Sequence, residues 1–485
     1  MPASSAPTLV WFRRDLRLFD NPALAAAADR GAPVLALYIL DDADAGDWKP
    51  GGASRWWLHG SLKALGEALS KIGTPLILRR GEAAEVVDAM IEESGADAVY
   101  WNRRYEPWAR ERDSRIKDAL KKRDLDVRSF NGGLLYEPWE VTTKQDTPFK
   151  VFSPFWREIQ SKGDPADPLP APEALAAPEA IPTSEALEDW SLLPSKPDWA
   201  GGLRDAWTPG EAGAVARLED FLDGTVADYK AHRNLPGLAG TSGLSPHLHF
   251  GEISPRRIWH AARAASEARS NEAMDRGTST FLSEVAWREF SYNLLFNNPT
   301  LPETSLRQEF EDFPWREDPD GLAAWRRGRT GYPIVDAGMR ELWHTGWMHN
   351  RVRMIVASFL IKDLLVHWRE GEAWFWDTLV DADLANNAAS WQWVAGCGAD
   401  AAPYFRIFNP VLQGEKFDGD AAYVRRWVPE IADLPDSVIH KPWEAKPDVL
   451  RKAGVTLGKT YPHPIVDHAV ARKRALEALE TIKKG

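Results

Sequence analysis

Between residues 8 and 130 the sequence alternates five short β-rich runs (8–12, 33–40, 75–79, 98–102 and 126–130) with four helical stretches (21–29, 54–72, 83–94 and 107–123). No other feature constrains the chain as much. Strand–helix alternation implies βαβ units, a parallel sheet and right-handed crossovers. Asn21-Pro22 reads as an N-cap followed by proline at the first helical position. Ligands of such sheets sit at the carboxyl ends of the strands. Those ends carry Arg13-Arg14-Asp15, Asp41-Asp42 and Asn102-Arg103-Arg104. No Gly-x-Gly-x-x-Gly follows the first run, so a dinucleotide fingerprint is unsupported.

Residues 160–206 differ in kind. They hold 8 of the 35 prolines, with three Lys and Arg against nine Asp and Glu, and read as a long surface linker. From about residue 208 the strand signal fades and helical periodicity takes over. Val352, Ile355, Val356, Phe359 and Leu360 mark one buried helix face. The expected architecture is therefore an α/β N-terminal domain with a five-stranded, Rossmann-like parallel sheet (1–135), a Pro- and acid-rich linker (136–207) and an all-α C-terminal domain (208–485).

The single cysteine, Cys397, makes no intrachain disulfide and excludes a protein-held iron–sulfur cluster or a Cys-type zinc site within one chain. No signal peptide fits the short polar N-terminus, and no apolar run is long enough to span a bilayer. With a single thiol and neither a signal peptide nor a spanning run, the sequence reads as cytoplasmic. The net charge of −12 argues against a uniformly basic nucleic-acid coat, while leaving room for a local basic patch.

Three motifs carry chemistry. Gly240-Thr241-Ser242-Gly243-Leu244-Ser245-Pro246 places three hydroxyls before a helix, which suits either a phosphate cradle or a plain Ser-Pro cap. Asp381-Ala382-Asp383 reads as a metal pair, a polar turn or a binder of hydroxyl or amide groups. No His cluster supports a metal, so none is expected. Nine tryptophans lie between positions 315 and 393, with Arg351 and Arg353 among them and Arg406 just beyond. Several pack the core, but each buried indole N–H needs a partner. Rings beside cations are also how flipped or single-stranded bases are held. Gly454–Thr460 looks like a P-loop, but its glycines stand one residue too close and no strand precedes it.

The chain resembles the DNA photolyases of the photolyase/cryptochrome family, and the resemblance runs end to end. It rests on Trp11-Phe12-Arg13-Arg14-Asp15-Leu16-Arg17, Gly240–Pro246 with Gly251-Glu252-Ile253-Ser254, and Glu284-Val285-Ala286-Trp287-Arg288-Glu289-Phe290. Further on it rests on Gly346-Trp347-Met348-His349-Asn350-Arg351, Asp381-Ala382-Asp383-Leu384, Trp391-Gln392-Trp393 and Tyr404-Phe405-Arg406-Ile407-Phe408-Asn409-Pro410. Residues 386–391 and 396–398 are similar to the class III branch, which repairs cyclobutane pyrimidine dimers.

The resemblance implies FAD in the helical domain and the activity of a deoxyribodipyrimidine photo-lyase. Excited, reduced flavin would donate an electron to the dimer, the ring would split, and the electron would return. FAD binding would fall to Tyr229, Thr241, Ser242, Gly243, Leu244, Ser245, Phe281, Trp347, Asn350, Arg353, Asp381, Ala382, Asp383 and Asn387. Arg353 would pair with Asp381, and Asn387 would face flavin N5. Glu284 would hydrogen-bond the dimer, Trp287 and Trp393 would form its apolar wall, and Asn350 and Met354 would face the same pocket. Arg233, Arg288, Arg351, Arg406 and Gln413 would contact DNA, together with Glu284, Trp287 and Asn350. Trp391, Trp368 and Trp315 would carry electrons between flavin and surface.

The antenna implied is 5,10-methenyltetrahydrofolate near Glu106, Arg13 and Arg55, with 8-hydroxy-deazaflavin or no second chromophore as alternatives. Two departures stand out: Trp156 and Gly243 occupy positions where some members carry lysine and arginine. The partner implied is dimer-containing DNA, with no membrane and a monomeric chain. The competing reading is a cryptochrome-like photoreceptor without repair, for which the sequence, running to Gly485, leaves no signalling tail.

Overall fold

The computed structural model describes residues 6–269, 271–401 and 405–482, so Tyr404 of the resemblance lies outside the described residues. Contacts divide the chain into two compact units, 1–227 with 242–299 and 228–241 with 300–485.

The first unit is built on a parallel sheet of β1 (Thr8–Phe12), β2 (Val34–Leu40), β3 (Leu76–Arg80), β4 (Ala98–Asn102) and β5 (Asp126–Phe130), in the order β3-β2-β1-β4-β5. Val10 aligns with Ala36 on one side and Tyr100 on the other. The three central strands are buried along their whole length, as near-continuous apolar runs in a doubly covered parallel sheet should be. Between the strands lie α1 (Pro22–Asp29), α2 (Gly52–Lys71), α3 (Ala83–Ser94) and α4 (Pro107–Lys121). The Asn21 side chain accepts from Leu24 N at 3.1 Å, so the expected cap forms. Gly95, with φ +66°, ends α3 in the left-handed conformation glycine favours.

The acidic segment after the sheet is a surface strap tied to the sheet's edge. Val34 N donates to Ala176 O (2.7 Å), Leu175 N to Ile72 O (2.6 Å) and Glu185 N to Leu78 O (2.9 Å). Contacts also group 208–227 and 242–299 with the sheet, across the 207/208 boundary that composition suggests. The 26-residue helix Glu272–Asn297, capped by Asn271, accordingly belongs to the first unit.

The second unit is helical. Its centre holds Pro333–Thr345, Asn350–Ser358, Trp368–Thr378 and Leu384–Ala395. Val352, Ile355, Val356, Phe359 and Leu360 are all buried, as their spacing requires. Among the described residues no helix is long and apolar enough to cross a membrane.

Candidate functional site

In the first unit, Ser242, Gly243, Leu244 and Ser245 follow one another into the helix Ser245–His249, which has only five residues. A dipole that short adds little, so any anion held here depends on the hydroxyls and backbone N–H groups. Leu244 is buried and Ser245 exposed. Phe281 is buried against Phe221, with ring centroids 4.6 Å apart.

Glu284 and Trp287 stand three apart on the helix Glu272–Asn297, both half-buried, so they share one face. Trp287 lies flat on Phe152, with centroids 3.8 Å apart and planes 10° from parallel, and Phe290 meets its edge at 5.8 Å. Phe152 opens the helix Phe152–Ser161, and sequence reading missed it because nothing local links it to Trp287. Arg288, expected on DNA, donates Nη1 to Gly133 O at 2.8 Å and lies 3.2 Å from Glu289 Oε1. Trp156 meets Trp259 edge-on at 6.1 Å.

In the second unit, Arg353 Nη2 reaches both oxygens of Asp381, at 3.1 and 2.8 Å, while its Nε donates to Met348 O at 2.7 Å. The expected pair forms, and among the described residues no cluster of His, Cys, Asp and Glu could hold a metal. Arg353 also lies 5.8 Å from the Trp347 ring centroid. Asp383 caps the helix Leu384–Ala395 by accepting from Asn386 N at 2.9 Å. Asn387 is buried, and its Nδ2 donates to Glu372 O at 3.1 Å. Tyr229 is buried with the Arg233 guanidinium 5.6 Å from its ring centroid. Thr241 is half-buried, and Ala382 is buried between the two aspartates.

Asn350 begins the helix Asn350–Ser358 and is exposed, with Met354 one turn on and half-buried. Arg351 donates Nη2 to Asn234 Oδ1 at 2.8 Å. Arg406 is exposed, with its guanidinium 5.3 Å from the Trp393 ring centroid, and Gln413 is half-buried on the helix Pro410–Phe417. Burial, reinforced by Arg351 and Arg353, pushes the His349 imidazole down to about 4, so it is neutral at physiological pH.

The three tryptophans expected to carry electrons all fall in this unit. The Trp391 ring lies against Gly371, where a Cβ would come within 2.0 Å of it. Trp368, one turn earlier on that helix, is fully buried. His367 stands between Trp368 and Trp315, with centroids at 5.6 and 4.8 Å. Sequence reading did not single out His367, whose burial lowers its imidazole to about 4.

At the carboxyl ends of the strands, the expected antenna residues are committed to partners. Arg13 Nη1 pairs with Asp113 at 2.9 Å and Arg55 with Asp42 at 2.6 Å. Glu106 accepts from Arg104 Nη2 at 2.6 Å and lies 3.7 Å from Arg14. Burial alone would raise the Glu106 carboxyl, but Arg104 and Arg14 outweigh it and hold it at about 2. A ligand using Glu106 would have to share it with two arginines.

The first unit is thus an α/β domain on a parallel sheet, and the helical unit holds the Arg353–Asp381 pair, the buried Asn387 amide and the buried rings of Trp368 and Trp391. Two family models match: DNA photolyase over residues 8–173, and the FAD binding domain of DNA photolyase over 281–481. The chain belongs to the photolyase/cryptochrome family. It is 54% identical over 484 residues to a deoxyribodipyrimidine photo-lyase of Agrobacterium fabrum, covering 100% of both chains. It is 43% identical to cryptochrome-1 of Arabidopsis thaliana, covering 98% of this chain and 70% of that one. The crystal structure of a bacterial class III photolyase from Agrobacterium tumefaciens superposes with a TM-score of 0.96, at 54% identity and 100% coverage of both chains.

The FAD-binding model fits the residues present. Asp381 is neutralised by Arg353, and the Asn387 amide is buried with only its Nδ2 engaged among the described residues. That leaves its carbonyl oxygen for a cofactor.

Proposed function

We propose that the chain is a light-driven repair enzyme for cyclobutane pyrimidine dimers in DNA, a deoxyribodipyrimidine photo-lyase. The observation that carries this reading is the unbroken 54% identity with the Agrobacterium enzyme over both full lengths. When bound, reduced FAD excited by light supplies the electron that opens the dimer's ring. The protein's own part is binding and polarisation. Glu284 donates or accepts at the carbonyl and imide edge of the dimer, stabilising charge that develops there. Trp287 and Trp393 each present a ring face to a flipped base, and Asn350 and Met354 add a polar and an apolar contact. Arg233, Arg351 and Arg406 take backbone phosphates, assisted by Gln413. Tyr229, the 241–245 loop, Phe281, Trp347, Arg353, Asp381, Asp383 and Asn387 hold FAD, while Trp391, Trp368 and Trp315 conduct electrons to it.

On this reading residues 1–135 form an antenna domain, 136–207 a linker and 208–485 the catalytic domain of a cytoplasmic monomer. The antenna is 5,10-methenyltetrahydrofolate, which an absorption spectrum distinguishes from 8-hydroxy-deazaflavin. The deciding experiment is to reduce the purified protein, mix it with irradiated DNA and count dimers in light and in darkness. Light-dependent loss of dimers is expected. FAD-loaded protein that removes none would leave the photoreceptor reading in its place.

A further inference from the structure

Gly243 has φ +61°, and a Cβ built on it would fall 2.7 Å from Arg217 Nη1, 3.3 Å from its Cδ and 3.5 Å from its Cζ. The guanidinium of Arg217 thus fills the space into which a side chain at position 243 would project. Arg217 lies on the helix Glu211–Asp220, with its guanidinium 4.5 Å from the Trp207 ring centroid and its Nη2 donating to Ala206 O at 3.2 Å. It is half-buried, and among the described residues no carboxylate pairs with it in an ion bridge. Burial pulls its pKa down, and Asp220 only partly opposes this. A guanidinium has five N–H donors and stays charged, so with one donor on Ala206 O and its face on Trp207 it keeps donors and charge for an anion. Beyond Ala206 O, the guanidinium lies beside Gly243, in the middle of Thr241-Ser242-Gly243-Leu244-Ser245, a loop whose hydroxyls and N–H groups carry no full charge of their own.

We propose that Arg217 is the cationic arm of this loop and holds the diphosphate of the bound dinucleotide cofactor. The inference rests on the reading that the loop takes the FAD phosphates. Gly243 is needed because any side chain there would displace the arm.

The test compares FAD with riboflavin, which lacks phosphate. FAD release from the holoprotein and binding of both flavins to stripped protein are followed by flavin fluorescence. Arg217→Ala is expected to weaken FAD by about tenfold or more, leave riboflavin unchanged and flatten the salt dependence of FAD release. Arg217→Lys retains most of the affinity. Adding Gly243→Arg to Arg217→Ala restores it, because the new side chain projects into the vacated space, at only a modest backbone penalty. Equal weakening of both flavins, or no rescue by Gly243→Arg, would reduce Arg217 to a packing residue and overturn the proposal. So would a loss of affinity for undamaged DNA with FAD binding intact. The paired variant Thr241→Ala/Ser242→Ala separates the two readings. If it leaves FAD affinity untouched, the loop assignment fails. If it weakens FAD while Arg217→Ala does not, only the arm fails.

Discussion

Glu289 sits inside the motif that carries Glu284 and Trp287, yet its carboxyl is buried and accepts from Leu135 N at 2.8 Å. Burial raises it from an ordinary 4.5 to about 7, against the opposing pull of Arg288. The folded chain therefore keeps a proton that the unfolded chain releases above about pH 4.5. Stability falls as pH rises through the window from about 4.5 to 7, and stays at the lower level above it. Glu289→Gln removes that penalty while keeping an oxygen for Leu135 N. The variant is expected to gain about 1–3 kcal/mol relative to the parent on going from pH 5 to pH 8, at about 1.4 kcal/mol per pKa unit. Urea unfolding at both pH values measures it, and a difference that does not change with pH would contradict the assignment. Arg288 carries a related lesson. The resemblance implies a DNA contact for it, and its bond to Gly133 O is a long-range pairing that the motif does not encode.

The helices Trp368–Thr378 and Leu384–Ala395 pack so closely that only glycine fits at 371, beneath the Trp391 ring. Adding a methyl there overpacks the contact, at about 1–3 kcal/mol, and displaces the ring from its place against Phe375 and Trp325. Gly371→Ala is thus expected to slow photoreduction, and Trp391→Phe to abolish or sharply slow it. Protein reduced beforehand should repair dimers almost normally in the Trp391→Phe case. Flash photolysis beside the repair assay separates the two effects, and loss of both in Trp391→Phe would mean that Trp391 is structural. At this scale much was legible in the sequence. The five strands lie within a residue of their expected bounds: near-continuous apolar runs fix the three central ones, and the strand–helix alternation places the two at the edges. The apolar face from Val352 to Leu360 is buried, because its spacing is that of a helix. Asp381 meets Arg353, as the resemblance implied. The Phe152 stack on Trp287, the His367 ring between Trp315 and Trp368 and the Arg217 tip beside Gly243 were not legible. Two of these bridge segments far apart in sequence, and the third depends on which rotamer a loop allows. The grouping of 242–299 with the sheet was hidden for the same reason, since periodicity shows that a helix has a buried face but not what covers it.

For the whole molecule the question is how a chain of net charge −12 holds a polyanion. Half of that charge lies in residues 160–206, with three cations against nine acids. Charges on this strap and farther away are screened within about 8–10 Å at physiological salt, so they weaken encounter more than they weaken a formed contact. On the proposed reading the formed contact depends on Arg233, Arg351 and Arg406, of which Arg406 is the exposed member. Three neutralised phosphates on duplex DNA would release counterions with a slope near −0.9 each. Affinity for dimer-containing duplex is then expected to fall by about 40-fold between 50 and 200 mM salt. Screening of the acidic surface works the other way, so the measured fall should lie at or below that figure. Arg406→Ala should lower the slope by about one and weaken damaged and undamaged duplex alike, since a phosphate contact reads no lesion. Glu284→Gln should leave the slope alone and weaken only the damaged duplex. Titrations of both duplexes across salt, with both variants, separate these terms. A response that stays flat would mean that the arginines do not neutralise phosphates.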